Sequence, residues 1–332
     1  MIEGSRSLSS LSFCRFSLVV ACAILAWAIS GCRPGSNSGT LAPVTNSHVV
    51  VDDTGRRIDV AIRPVRIVSL APSLTEIVFA VGAGSRVVGD TTYCDYPEEA
   101  RRVAKVGDTL HPNIETIISL RPDLVLISTS SQLEAFSQEL DARHIPVFIS
   151  DPKSFDSVIA SISAIGTLLD EPARAKEVSD SLALRAKAVS DRVKDLKPVN
   201  VFYQVSSEPL YTAGHDSFVT DLIRRAGGVS VTEGVPGAWP RYSSETALAS
   251  NPEAIVIPSG DSMGGGQELH PADVFRNSPA VRNGRVYKIN GDLLSRPGPR
   301  LVDGLEEIAK ALHPEIATVA GTPSPGGQLG GR

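Results

Sequence analysis

The stretch NIETIISLRPDLVLI, residues 113–127, returns 130 positions later as SSETALASNPEAIVI, residues 243–257. Glu115 and Glu245, Thr116 and Thr246, Pro122 and Pro252, and Ile127 and Ile257 coincide. In each copy a helix-capping residue, Asn113 or Ser243, stands two before the glutamate, a short helix follows, and a proline turn feeds an apolar strand. A supersecondary unit used twice predicts two lobes of similar build.

The rest of the chain fits that division. A hairpin pattern, His48–Val51 and Arg56–Val60 around Asp52-Asp53-Thr54-Gly55, is followed by strands and helices in alternation. Strands are expected at Arg66–Leu70, Arg86–Asp90, Leu124–Ser128 and Val147–Ser150, and helices at Leu74–Val81, Gln132–Ala142 and Phe155–Leu169. From Val199 the alternation restarts with Val199–Val205, Asp216–Ala226, Ala254–Pro258, Arg285–Ile289 and Leu301–Leu312. Between the halves Val178, Leu182, Ala186, Val189, Val193 and Leu196 recur at helical spacing. They predict one amphipathic helix over Pro172–Leu196, about 37 Å long at ~1.5 Å per residue, a strut that permits only small opening motions. The expected fold class is α/β: two Rossmann-like parallel-sheet lobes, 48–170 and 198–313, joined by a long rigid interlobe helix, 171–197.

The N-terminus carries Arg6 and Arg15 ahead of an apolar run, Leu18–Ile29, that ends at Ser30-Gly31-Cys32. The run reads as a signal peptide, 1–31, and small residues just before a cysteine resemble a bacterial lipobox with lipid attached at Cys32. The Gly-, Pro-, Ser- and Asn-rich residues 32–47 have the composition of a flexible tether to the membrane, and 314–332 that of a disordered tail. Cys14 and Cys22 leave with the signal, so Cys94 is the one thiol left beside the acylated Cys32 and no disulfide forms within the mature chain. With 32 basic and 37 acidic residues, a net charge of −5 and no basic stripe, nucleic acid is not an expected partner.

Catalytic machinery is hard to find. There is no nucleophile elbow, no phosphate loop of the required spacing, and no His-x-x-x-His or Cys-x-x-Cys pair, so no enzyme, cofactor or metal is expected. Candidate binding residues lie instead in loops. TTYCDYP, residues 91–97, gathers Tyr93, Cys94 and Tyr96 after a strand, where α/β proteins bind ligands, although both tyrosines could equally cover core edges. Trp239 stands between Gly/Pro-rich turns, presenting a flat face or anchoring its loop. Asp292 and Arg296 share a stiff loop before the last helix.

RIVSLAPSLTEIVFAVG (66–82), TTYCDYP (91–97), NIETIISLRPDLVL (113–126), GAWPRYSSETALASNPEAIVI (237–257) and RPGPR (296–300) resemble, in order and spacing, the substrate-binding proteins of cobalamin ABC importers. These belong to the helical-backbone (class III) periplasmic binding proteins, which also serve ferric siderophores and haem. The resemblance implies a lipid-anchored extracytoplasmic receptor holding a cobalamin or other corrinoid between its lobes. Tyr93 and Trp239 match stacking aromatics, Ser73 a backbone contact, and Asp292 and Arg296 polar contacts at the ring's periphery. Two further family tryptophans align with Thr109 and Ser128. Glu115 and Glu245 match glutamates that dock onto the two subunits of a permease dimer, itself coupled to ATPase subunits. The alternatives are a haem or ferric siderophore receptor, for which His111 or His270 would gain importance, and, from another class, an extracytoplasmic hydrolase or sensor domain.

Cys32→Ala is expected to yield a soluble, released protein that still binds ligand. Recovery of the variant with membranes, from a precursor cleaved elsewhere, would count against the lipobox.

Overall fold

The computed structural model describes residues 47–129, 134–260 and 269–319; the signal segment, Cys32 and nearly all of the tether lie outside the described residues. A hairpin, β1 (Ser47–Val51) and β2 (Arg57–Ala61), comes first. The first lobe continues with β3 (Ile67–Ser69), α1 (Pro72–Ala80), β4 (Val87–Asp90), α2 (Ile114–Ser119), β5 (Leu124–Ser128), α3 (Glu134–Asp141), β6 (Val147–Ser150) and α4 (Phe155–Leu168). Helix α5 (Pro172–Val193) leads to β7 (Val199–Ser207), β8 (Leu210–Thr212), α6 (Phe218–Arg225), β9 (Gly228–Ser230), α7 (Ser244–Ser250) and β10 (Ala254–Ser259). The second lobe ends with α8 (Pro279–Arg282), β11 (Val286–Asn290), α9 (Gly291–Ser295) and α10 (Leu301–Leu312). Where a tail was expected from 314, a 3-10 turn, Pro314–Val319, still packs Ile316 against the core.

The repeat folds as one unit made twice. Asn113 and Ser243 cap α2 and α7, accepting from Thr116 N at 2.9 Å and Thr246 N at 3.1 Å. Each helix is followed by a non-glycine residue in the left-handed region, Arg121 at φ 47° and Asn251 at φ 42°, directly before the shared proline. Asp123 then ties down the start of β3 through Val65 N (2.8 Å) and Arg66 N (2.9 Å), and Glu253 does the same for β7 through Asn200 N (3.0 Å). Strands β5 and β10 follow, each buried on both faces, as expected for central parallel strands.

The two sheets have matching topology. Four parallel strands run in the order β4-β3-β5-β6 in the first lobe and β9-β7-β10-β11 in the second. Strand β8, absent from the sequence pattern, folds back antiparallel on the end of β7.

Along β5 the side chains alternate between two apolar clusters, Leu124 and Leu126 facing one and Val125 and Ile127 the other; Ala254 and Val256 alternate with Ile255 and Ile257 along β10 in the same way. The inward cluster is a single one that takes in residues of both lobes and of α5. Helix α5 stops at Val193, earlier than its apolar pattern, and Pro198, which disfavours helical conformation at Lys197, keeps it from resuming. Its buried face is also rotated: Ala175 and Ser179 lie inside, while Val178 and Leu196 only flank the core. The reason is a close crossing with α4. A Cβ on Gly166 would stand 2.1 Å from the Ala175 Cβ, and Ser163 Oγ meets Ser179 Oγ at 3.0 Å.

Gly166→Ala therefore sets overpacking, ~1–3 kcal/mol, against a helix-propensity gain of ~1 kcal/mol. Chemical denaturation should show net destabilisation, and an unchanged or raised midpoint would mean that the crossing relaxes freely.

Candidate functional site

The carboxyl ends of the two sheets bound a cleft of ≈ 470 Å³, within the ordinary size of ligand pockets. The first lobe lines it with Thr92, Tyr93 and Asp95, from the loop after β4, and the second with Asn290, Asp292 and Arg296, at and after the end of β11. Asn290 caps α9, accepting from Asp292 N at 2.9 Å, which directs the following turn into the cleft. The loop after β4 is held from below. Lys105 Nζ reaches Asp90 Oδ1 at 2.7 Å, Cys94 O at 3.0 Å and Ala100 O at 3.1 Å. Cys94 is buried, within 3.2 Å of both Thr75 Oγ1 and Thr91 Oγ1. Burial pushes its thiol pKa up, so it is an anchor for the loop and a poor nucleophile. Directly after Pro97, residues Glu98–Arg102 form a 3-10 turn.

Three of the five expected ligand residues, Tyr93, Asp292 and Arg296, thus meet in one cleft. Ser73 and Trp239 stand outside its lining. Ser73, in the first turn of α1, is buried beneath the second lobe, with its carbonyl close to Gly298, where a Cβ would lie 3.2 Å from it. Trp239 packs edge-on to Phe218, ring centroids 5.8 Å apart at 81°, and stays 38% exposed. Thr109 is half-buried and Ser128 is buried at the end of β5. Glu115 and Glu245 are exposed on α2 and α7, away from the cleft. His111 is exposed beside Asp108, and exposed His270 offers its carbonyl to Gln204; neither histidine lines the cleft.

The sequence did not reveal an array of charges that crosses between the lobes. Arg296 Nη1 meets Asp95 Oδ1 at 2.7 Å and Glu76 Oε1 at 3.3 Å, and Nη2 lies 2.8 Å from Asp292 Oδ1. Arg300 grips the same Glu76 at 2.6 and 3.0 Å and lies 4.2 Å over the ring of Tyr96. Burial raises the pKa of Glu76 against the pull of both arginines. Burial also opposes ionisation of Asp95, yet Arg296 holds its carboxyl below the usual range. The signal for Glu76 was present: a carboxylate inside LTEIVFA, an otherwise apolar helix, requires a buried partner. Among the described residues no cluster of three or more His, Cys, Asp or Glu is placed to hold a metal ion.

The family model described as periplasmic binding protein matches residues 67–293. The chain belongs to that family. Its fold is the class III periplasmic-binding arrangement, two parallel-sheet lobes joined through one helix, and its members are substrate-binding proteins without enzymatic chemistry. An ABC transporter substrate-binding lipoprotein of Bacillus subtilis (strain 168), YvrC, is 35% identical over 276 residues, 80% of this chain and 86% of that protein. The periplasmic vitamin B12 binding protein BtuF of Vibrio cholerae superposes with a TM-score of 0.66 at 27% identity, covering 77% of this chain and 99% of that one. The periplasmic heme-binding protein RhuT from Roseiflexus sp. RS-1, in apo form, does so at 0.67 and 25%, covering 75% and 98%. The protein is therefore an ABC transporter substrate-binding protein whose relatives work outside the cytoplasm and whose partner is a permease.

Asp90, beneath the cleft loop, is fully buried, and one of its carboxylate oxygens has no hydrogen-bond partner. Burial, only partly offset by Lys105, pushes its pKa up from 3.8 to about 6. A folded-state pKa above the unfolded one means that the folded protein binds the proton more tightly. The Asp90 contribution to stability is thus present below pH 3.8 and lost as pH rises through about 6. The difference corresponds to about 3 kcal/mol. Denaturation of wild type and Asp90→Asn across pH 4–6 should show that component in the wild type alone; equal pH slopes would refute it.

Proposed function

We propose that this substrate-binding protein captures cobalamin or a close corrinoid in the interlobe cleft and delivers it to its permease. The observation that supports this most directly is the cleft's lining, which combines an aromatic face at Tyr93 with hydrogen-bonding groups from both lobes and, among the described residues, contains no histidine. A corrin is a flat ring rimmed with neutral carboxamides, which need an aromatic wall and donors and acceptors in roughly equal measure. On this reading the ring extends beyond the cleft's ≈ 470 Å³ to reach Trp239, which is 38% exposed, with Ser73 contributing backbone at the lobe junction. The haem reading draws on the likeness to the haem-binding relative, but His111 and His270 lie outside the lining and the one arginine in it is engaged by carboxylates. The ferric siderophore reading needs free cations, and among the described residues the lining offers none.

The lipid at Cys32 would hold the receptor at the membrane surface. Glu115 and Glu245 would seat it on the transporter. They stand exposed at the first turns of equivalent helices, where the helix dipole alone gives a carboxylate ~0.3–1 kcal/mol. That advantage does not account for the same Glu-Thr pair in both lobes when most neighbouring positions differ. One ion pair per permease subunit does, and it would orient the encounter.

Cyanocobalamin should quench the fluorescence of Trp239, the one tryptophan of the mature chain, saturably and with one site per chain. Trp239→Ala should weaken binding by ~1–3 kcal/mol; saturation by haem or a ferric chelate but by no corrinoid would transfer the assignment. The Glu115→Ala, Glu245→Ala double variant should keep ligand affinity and folding yet lose uptake and stimulation of the transporter ATPase. Normal transport, or ligand binding lost in step with transport, would leave the glutamates as helix-start residues only.

A further inference from the structure

Arg296 lines the cleft without offering it a free charge. Only 7% of its side chain is exposed, and its guanidinium is met by Asp95 and Asp292 at the cleft wall and by Glu76 behind them. A guanidinium at a ligand site is ordinarily the receiver of a carboxylate or phosphate, because its parallel N–H groups match two oxygens. Here protein carboxylates already surround both terminal nitrogens, and the donor left without a partner, Nε, is buried. Asp292 arrives from the same lobe, four residues away, whereas Asp95 reaches across from the other lobe and keeps 43% of its side chain exposed. It is thus the carboxylate that an incoming ligand meets. Among the described residues, the charged ones of the lining, Asp95 and Asp292 against Arg296, sum to one excess negative charge.

We infer that Asp95 is a specificity-determining residue, which occupies Arg296 from the opposite lobe and thereby makes the cleft refuse anionic ligands while accepting neutral or cationic ones that donate hydrogen bonds. An anion entering the cleft would face the field of two carboxylates and find its natural partner already paired. A carboxamide would donate to Asp95 or Asp292 without that penalty. The inference rests on the reading of the cleft as the ligand site, though not on which ligand fills it.

The test is titration of wild type, Asp95→Asn and Asp95→Ala at neutral pH with three probes: cyanocobalamin, the corrin carboxylic acid cobyrinic acid, and haem. The wild type should bind cobalamin and discriminate against cobyrinic acid. Asp95→Asn should gain affinity for the two carboxylate-bearing probes on the order of ten- to hundredfold, with the gain shrinking at high salt. Asp95→Ala, which removes the hydrogen bond as well, should show the same gain for anions, separating charge from contact. Equal wild-type binding of the amide and acid corrins, or no gain for anions in either variant, overturns the inference. If the wild type binds neither corrinoid, the corrinoid assignment fails by itself and the haem arm still decides: a gain on removing Asp95 upholds anion exclusion, and none ends it.

Discussion

One apolar core runs through both lobes, and the rest of the molecule is arranged around that fact. Leu74, Ile77, Phe155 and Ile162 of the first lobe, Leu182, Val189 and Val193 of the connecting helix, and Val219, Leu222, Leu305 and Ile308 of the second are buried in one cluster. Each such side chain contributes ~1.5–3 kcal/mol by leaving water, and a close-packed interior does not shear without opening voids. Relative rotation of the lobes about this side is therefore costly. Polar pins add to it: Phe155 N donates to Asp221 at 2.9 Å, and Arg225 pairs with Asp156 at 2.7 Å while lying 5.3 Å over the Phe155 ring.

The cleft side is held by different chemistry. There the lobes meet through Glu76, Asp95, Asp292, Arg296 and Arg300, all charged. Buried ion pairs recover little net free energy, since desolvation offsets most of the attraction, and separating the lobes returns each group to water. Parting a hydrophobic contact has no such compensation. The apolar core thus fixes the side on which the molecule stays shut, and the charged array leaves the other side free to open for a ligand at modest cost.

Much of this was legible in the sequence, because the features that build the lobes are local. The capping residue, the proline turn and the two-faced strand lie within fifteen residues, and each copy reported the same unit. The charged array was not legible. Arg296 and Glu76 are 220 positions apart, and no pattern within either segment names its partner. Strands β8 and β9 escaped for a related reason: each is short, pairs with β7 at its edge and, unlike the equally short β3, is not a run of wholly buried residues. The rotated face of α5 followed from Gly166 on another helix, which admits Ala175 and Ser179 where the apolar pattern alone favoured Val178. At the candidate site, Tyr93, Asp292 and Arg296 were readable as loop residues after strands. Asp95 stood in the same loop but lacked any sequence mark that set it apart from a surface acid.

The matching strand orders also explain how two similar lobes make an asymmetric site. Strands β4 and β9 occupy the same place at one edge of their sheets, and the loops that leave them carry Tyr93 and Trp239 respectively. The aromatic residues are thus topological equivalents, delivered by one architectural position used twice. The charges are not. Strand β11 runs into the short helix bearing Asp292 and on to Arg296, whereas its counterpart β6 runs into Ser154 and Phe155, which cap and begin α4 and turn toward the shared core. The repeat fixes where loops emerge, but side chains decide what each loop does. Duplication therefore accounts for an aromatic loop at the same position in each lobe, while the charges of the cleft come from divergence in both: Asp95 in the loop after β4, and Asp292 and Arg296 after β11.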